Sequence, residues 1–430
     1  MPNAIKPQSF SSNSNNFCKK IQRYAVAAAA LGWSLSAMAG GQLQINSMHS
    51  DPTAKKAFDV VLKKFKEENK DINVTLNTID HESYKIQIRT WLPNNPPDVA
   101  TWFAGNRSRY FIDKGLVEPI DDVWKPLEKQ FGEGSRKAVT FNGHRYLMPT
   151  NYYHWGFFYR TDVFEKAGIK EAPRDWTAFM AAVEKLKAQK VTPITIGTKQ
   201  AWPSAAWFDL LDMRVNGYEF HMALLGGTEK YTDPRVKKAF APWANLVNAK
   251  AFPENASTMT WQEASALLWQ GKAGMYLMGN FITTEIPADL KGKIGFFPFP
   301  TIDEKIAASQ VAPTDVFFIP SKAKNKENAK KFMAFMGRAD VQQVYNNING
   351  QLPANFTATI DPHNIFLKQG QKVLSEAAGL SQFFDRDAEP EVAKVGMDGF
   401  VEFMAYPDHL DKILTGLEST RARVHAKAQN

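Results

Sequence analysis

The chain has 430 residues, 44% hydrophobic and 22% charged, and its 52 Lys and Arg against 44 Asp and Glu give a net charge of +8. This length implies two or three packed domains, and the composition excludes a disordered or fibrous chain. The single cysteine, Cys18, excludes a disulfide framework and any multi-cysteine metal centre.

The first feature in chain order is a processing segment. Lys19, Lys20 and Arg23 precede an apolar run from Tyr24 to Leu35, and Ala37-Met38-Ala39 has the small-x-small pattern of a signal-peptidase site. The run is far shorter than the ~20 apolar residues that a membrane span needs. Residues 1–39 are therefore expected to be a signal peptide cleaved after Ala39, with export most simply to a Gram-negative periplasm. Cleavage leaves 391 residues and removes Lys6, Lys19, Lys20 and Arg23 but no acidic residue, so the charge falls from +8 to +4. It also removes Cys18, which stands ahead of the apolar run and so is not a lipidated first residue.

Strands and helices then alternate. Residues 43–48 (LQINSM) read as a strand, 49–52 as a loop, and Ala57, Val60, Val61, Leu62 and Phe65 recur at helical spacing. A second strand over 72–79, a loop at 81–83, a helix over 84–92 and a third strand over 97–103 follow, opening into Ala104-Gly105-Asn106. This alternation predicts a mainly parallel sheet with helices on both faces, and loops 49–52, 80–84 and 103–107 at the ligand-facing strand ends. Residues 144–150 read as a strand passing into Tyr152, Tyr153, Trp155, Phe157, Phe158 and Tyr159. Asp175 is placed to cap a helix over 176–190, 191–197 reads as a strand, and 198–207 as a loop with two tryptophans. No flexible linker interrupts the chain, which predicts two α/β lobes that share strand crossings and hinge around a cleft.

Catalytic and metal signatures are sparse. The eight histidines, at 49, 81, 144, 154, 221, 363, 409 and 425, include no i, i+4 pair, and no nucleophile elbow, phosphate loop or dinucleotide fingerprint is present. No metal and no cofactor is expected. A glycosidase-type carboxylate pair stays open among Asp98, Asp209, Glu263 and Asp315, although nothing selects two of them. The basic runs Lys63-Lys64, Lys237-Lys238 and 322–331 alternate with acidic or apolar residues as solvated faces do, which argues against nucleic acid as a partner. The aromatic content, 12%, is the stronger signal, because Trp and Tyr present flat apolar faces suited to pyranose rings. Trp102, Trp155 and Trp202 fall at strand ends or in loops, where core packing explains them less readily than it does Trp91, Trp124, Trp176, Trp243 and Trp269.

Ordered segments along the mature chain resemble the extracellular solute-binding proteins of ABC importers for sugars. They are FDVVLKKFKEEN (58–69), PPDVATWFAGNRSRYFIDKGLVEPIDD (96–122), MPTNYYHWGFFYRTDVFEKAGI (148–169), WQEASALLWQGKAGMYLMGNF (261–281), IGFFPFP (294–300), PTDVFFIPSKAKNKENAKKFMAFM (313–336) and NGQLPANF (349–356). The resemblance implies a two-lobe periplasmic-binding-protein fold, each lobe a mixed, mainly parallel sheet flanked by helices and the two joined by strand crossings that form a hinge, with residues 40–149 and about 293–336 in one lobe and 150–292 and about 337–430 in the other. It further implies a non-enzymatic, monomeric receptor that closes over a mono- or oligosaccharide and delivers it to an ABC permease in the inner membrane. By position, the implied sugar contacts are His49, Trp102, Phe103, Asn106, Tyr153, His154, Trp155, Trp202, Asn280, Phe281 and Asp315. On this reading Trp102→Ala and Asn280→Ala each weaken sugar binding and leave the fold intact. The alternatives are a secreted glycoside hydrolase and a sugar receptor that serves a chemosensor. The predicted loops hold no dense Arg or Lys cluster, which disfavours a phosphorylated or uronic ligand.

Overall fold

The first β-α step forms as the alternation predicts. Strand Gly41–Ser47 runs into helix Pro52–Glu68, which starts with Pro52 in its first turn, where the missing N–H leaves no bond unmade. That helix buries Ala57, Phe58, Val61, Leu62 and Phe65 along one face. Strand Ile72–Thr78 pairs parallel to Gly41–Ser47 along its whole length and alternates buried with exposed residues, as an edge strand does. Asp80 accepts a hydrogen bond from Ser83 N and caps helix His81–Asn94, after which the fully buried strand Val99–Phe103 joins the other side of Gly41–Ser47. These coordinates are a computed structural model that describes residues 41–428; the expected signal peptide, 1–39, lies outside them.

Both sheets are mixed where the alternation alone predicted mainly parallel ones. In the six-stranded sheet, Thr314–Phe318 inserts antiparallel between Val99–Phe103 and Leu147–Tyr152, and Leu352–Pro353 pairs antiparallel at the far edge. In the four-stranded sheet, Trp155–Arg160 pairs antiparallel with both Ile294–Phe297 and Ala273–Gly279, while Thr192–Thr195 adds parallel to the latter. The antiparallel pairs arise because the chain leaves one sheet after Tyr152, enters the other at Trp155, and comes back at Thr314 running the opposite way.

Each sheet has its own hydrophobic core. The first includes Ile45, Phe58, Trp102, Trp124, Phe317 and Tyr345; the second includes Phe157, Trp207, Trp243, Phe297, Phe384 and Phe400. The expected boundaries near 293 and 337 are corrected by these cores. Ile294, Phe296, Phe297, Phe299 and Val311 still pack in the second core, and helix Ala339–Asn349 contributes Val341 and Tyr345 to the first. The expected loop 198–207 is corrected too: helix Trp202–Asn216 starts inside it and is buried continuously from Pro203 to Val215. Among the described residues no helix is long and apolar enough to cross a membrane.

Candidate functional site

Between the two cores lies a cavity of about 230 Å³. One wall is built at the C-terminal ends of the parallel strands, where an α/β sheet offers its loops to a ligand. Gly41–Ser47 is followed by Met48, His49 and Asp51, Ile72–Thr78 by His81, Glu82 and Lys85, and Val99–Phe103 ends on Phe103; all of these line the cavity. Asp315, paired in register with Phe103 on the neighbouring strand, completes this side. The opposing wall is aromatic. Trp155 lies 4.9 Å from Phe383, 6.1 Å from Trp202 and 6.2 Å from Phe281 between ring centroids, and Trp261 meets Phe281 edge-on at 5.3 Å.

The polar wall carries groups suited to hydroxyls. Burial holds the His49 imidazole down at about 4, and its Nδ1 lies 3.2 Å from the Tyr345 hydroxyl. Burial, helped by Lys85 and Arg386, holds His81 well below its ordinary value. Both rings are therefore neutral at pH 7, each with one donor and one acceptor nitrogen. Burial raises Asp315, against the pull of Arg386, whose Nη1 donates to its Oδ1 at 3.0 Å. Arg386 also donates from Nη2 to the Tyr153 hydroxyl at 2.8 Å and lies 4.2 Å over the Phe103 ring, so it binds both walls. Asp385 stays ionised below the usual carboxylate range because Arg107, Lys85 and Arg386 outweigh its burial. Across the mouth, Gln262 Nε2 donates to Asp51 Oδ1 at 3.3 Å.

Seven of the eleven sequence-assigned contacts line this cavity: His49, Phe103, Tyr153, Trp155, Trp202, Phe281 and Asp315. Four do not, and they are corrected here. Trp102 points to the other face of its strand, into the first core beside Tyr84 and Phe111, with its indole N–H on Arg107 O at 3.3 Å. His154, between Tyr153 and Trp155, packs away from the cavity against Phe296, at 4.9 Å, and Phe158. Asn280 is fully buried and donates to Gly350 O at 2.5 Å. Asn106 donates to Asp387 O at 2.5 Å, which ties the first sheet to the segment that carries Arg386. Trp102→Ala and Asn280→Ala are accordingly stability variants.

The carboxylates left open as a catalytic pair are engaged separately. Asp98 accepts from Gln44 N, Lys324 N, Asn325 N and Asn325 Nδ2; Glu263 closes a capping box with Thr260; Asp209 lies fully buried under Phe384; and Asp315 pairs with Arg386. Sequence reasoning missed Trp261, Gln262, Glu285, Phe383, Asp385 and Arg386. The available signal was FFDRD (383–387), three charges directly after two phenylalanines.

A cavity between two α/β lobes, aromatic on one side and hydrogen-bonding on the other, defines a protein that captures a small solute. Residues 49–343 match the bacterial extracellular solute-binding protein family, and the chain belongs to that family, which captures solutes for ABC transporters. It is similar to an ABC transporter extracellular-binding protein of Pyrococcus horikoshii, 28% identical over 84% of this chain and 83% of that one. The arabinooligosaccharide-binding protein of Bacillus subtilis is 26% identical over 64% of each chain. Among solved structures it is similar to the bacterial solute receptor AcbH, described by an exclusive preference for β-D-galactopyranose. That match has a TM-score of 0.85 and 30% identity, and covers 90% of this chain and 99% of AcbH.

Proposed function

We propose that the chain is a periplasmic receptor that captures a single neutral pyranose between its lobes and presents it to the permease of an ABC importer in the inner membrane. Cleavage after Ala39 would release it as a monomer, and capture would leave the sugar unaltered. The observation that carries this reading is the cavity's size and lining. About 230 Å³ is small against the roughly 300–1,000 Å³ of ligand sites in general, which favours one ring over a chain of rings. Trp155, Trp202, Phe281 and Phe383 offer apolar faces to its C–H surfaces, and His49, His81, Asp51, Asp315 and Arg386 offer partners to its hydroxyls. Six carboxylates line the space (Asp51, Asp80, Glu82, Glu285, Asp315 and Asp385) against Lys85 and Arg386, an excess that repels phosphorylated and uronic sugars. The galactopyranose preference of AcbH supports the same class of ligand.

The test is calorimetry and thermal shift of the mature protein against galactose, glucose, xylose, a disaccharide and galacturonate, with chromatography of the recovered sugar. A monosaccharide should bind tightest and be recovered intact. Tighter binding of a disaccharide would overturn the single-ring reading, and new products would overturn non-catalytic capture.

A further inference from the structure

The Asp385 and Arg386 side chains of the segment Phe383–Asp387 enter the cavity, while its backbone rests on a fully buried polar group in the second lobe. Phe384 N donates to Asp209 Oδ2 at 2.8 Å, and the Phe384 ring packs on Phe208 and Phe400. Asp209 and Asp212 belong to helix Trp202–Asn216, and His221 to helix Tyr218–Leu225; all three have no solvent exposure. His221 Nδ1 lies 2.9 Å from Asp212 Oδ2, and its Nε2 lies 3.6 Å from Asp209 Oδ1. Asn216 Nδ2 occupies the other Asp212 oxygen at 2.6 Å. The mechanism of capture does not use this cluster directly, yet removing a solvent-free carboxyl–imidazole group from water carries a cost that hydrophobic residues would avoid.

We propose that Asp209 is a positioning residue for the ligand: through the Phe384 amide it sets where Asp385 and Arg386 stand in the cavity, while His221, held by Asp212, faces its other oxygen across 3.6 Å. The inference rests on the cavity being the ligand site. Burial pushes Asp209 up to about 8, against the pull of His221 and the Phe384 amide. Burial also opposes charge on His221, but the Asp212 bond and both carboxylates outweigh it and raise that imidazole. At neutral pH burial thus keeps the Asp209 carboxyl protonated, beside the His221 imidazole that Asp212 holds. The other groups that face it are Asp385 and Asp387 on the segment itself and the Tyr231 hydroxyl. Behind Tyr231 stand Glu418, which accepts from its backbone N–H, and Arg421, which pairs with Glu418. Above pH 8 the ionised Asp209 adds a negative charge under Asp385 and Asp387, which displaces the segment and lowers affinity.

The experiment compares wild type, Asp209→Asn and Asp209→Leu, with D-galactose as the probe, by calorimetry from about pH 6 to 9.5. Amide hydrogen exchange over 383–387 is followed in the ligand-free proteins. Wild type should lose affinity above pH 8. Asp209→Asn keeps a carbonyl acceptor without a titrating proton, so its affinity should match wild type at pH 7 and stay flat. Asp209→Leu strands the Phe384 N–H, so its affinity should fall about tenfold at every pH, with faster exchange at Phe384. A wild-type pH profile in Asp209→Asn, or unchanged exchange in Asp209→Leu, overturns the proposal. If Asp209→Leu does not fold, the Asp209→Asn profile decides. If wild type binds no galactose, the monosaccharide it binds tightest serves as probe; if it binds none, the ligand reading fails, and exchange in the ligand-free proteins still decides whether Asp209 holds the segment.

Discussion

Phe103 faces the cavity while Trp102, next to it in the same strand, faces the first core. The same two-residue period separates Tyr153 and Trp155, which line the cavity, from His154, which does not. Trp202 lines the cavity and Trp102 does not. Trp202→Ala should weaken pyranose binding by about 1–2 kcal/mol through loss of a stacking face, with a smaller change in stability. Trp102→Ala should instead lower the unfolding free energy by about 3–5 kcal/mol, because it hollows the core. Calorimetry with sugar and urea unfolding on both variants separate the two effects, and equal loss of affinity in each would refute the assignment. His154 makes a second point at this scale. Both its ring nitrogens are buried without a partner, and burial holds it down at about 3. The unfolded chain binds a proton near pH 6.5 that the folded chain refuses, so the stability this site provides is complete above pH 6.5 and lost as pH falls towards 3. His154→Leu, close in volume, should flatten that decline. Urea unfolding at a series of pH values from about 7 to 4 measures it, and an unchanged slope would show that other groups set the acid limit.

At the scale of elements, Asp98 joins three pieces of the first lobe. From the start of Val99–Phe103 it accepts from Gln44 in the neighbouring strand and from Lys324 and Asn325 just ahead of helix Lys326–Gly337. Asp98→Ala leaves those N–H groups without their acceptor, and should cost about 3 kcal/mol of stability with little effect on the sugar affinity of the folded fraction. Denaturation and calorimetry on that one variant check both halves. Such links also explain what the chain shows locally. The first two β-α steps were legible because Ile72–Thr78 and Val99–Phe103 both pair parallel with the nearby strand Gly41–Ser47 and each helix has a single apolar face. The insertion of Thr314–Phe318 between Val99–Phe103 and Leu147–Tyr152 has no local signature, since its partners lie more than 160 residues away. Helix Trp202–Asn216 is buried on all sides and so lacks the 3.6-residue alternation that reveals a surface helix. Helix Phe384–Asp387, four residues long, is too short to show any period, which is why Asp385 and Arg386 escaped a reading that found the aromatic wall.

Across the whole molecule, the hinge side and the mouth are held differently. Behind the cavity, Arg386 bonds Asp315 and Tyr153, Arg107 pairs with Asp385, and Asn106 bonds Asp387 O. At the mouth, Gln262 donates to Asp51, whose carboxyl is raised by burial first and then by Glu285, Asp80 and Glu82. Glu285 comes from the second lobe and Asp51 from the first, so closing brings like charges together and opposes the closed form until a ligand supplies donors between them. Pairs of charges near the surface are worth about 0.2–1 kcal/mol. Glu285→Gln should therefore raise pyranose affinity about two- to fivefold. Salt screens the same repulsion, so wild-type affinity should rise between about 20 and 500 mM NaCl while that of Glu285→Gln stays level. Small-angle scattering should show the radius of gyration falling on sugar addition in both proteins, and at lower sugar concentration in the variant. Calorimetry showing the same affinity and the same salt dependence for both would mean that the mouth carboxylates do not oppose closure, and that the hinge-side bonds alone set the energy of closing.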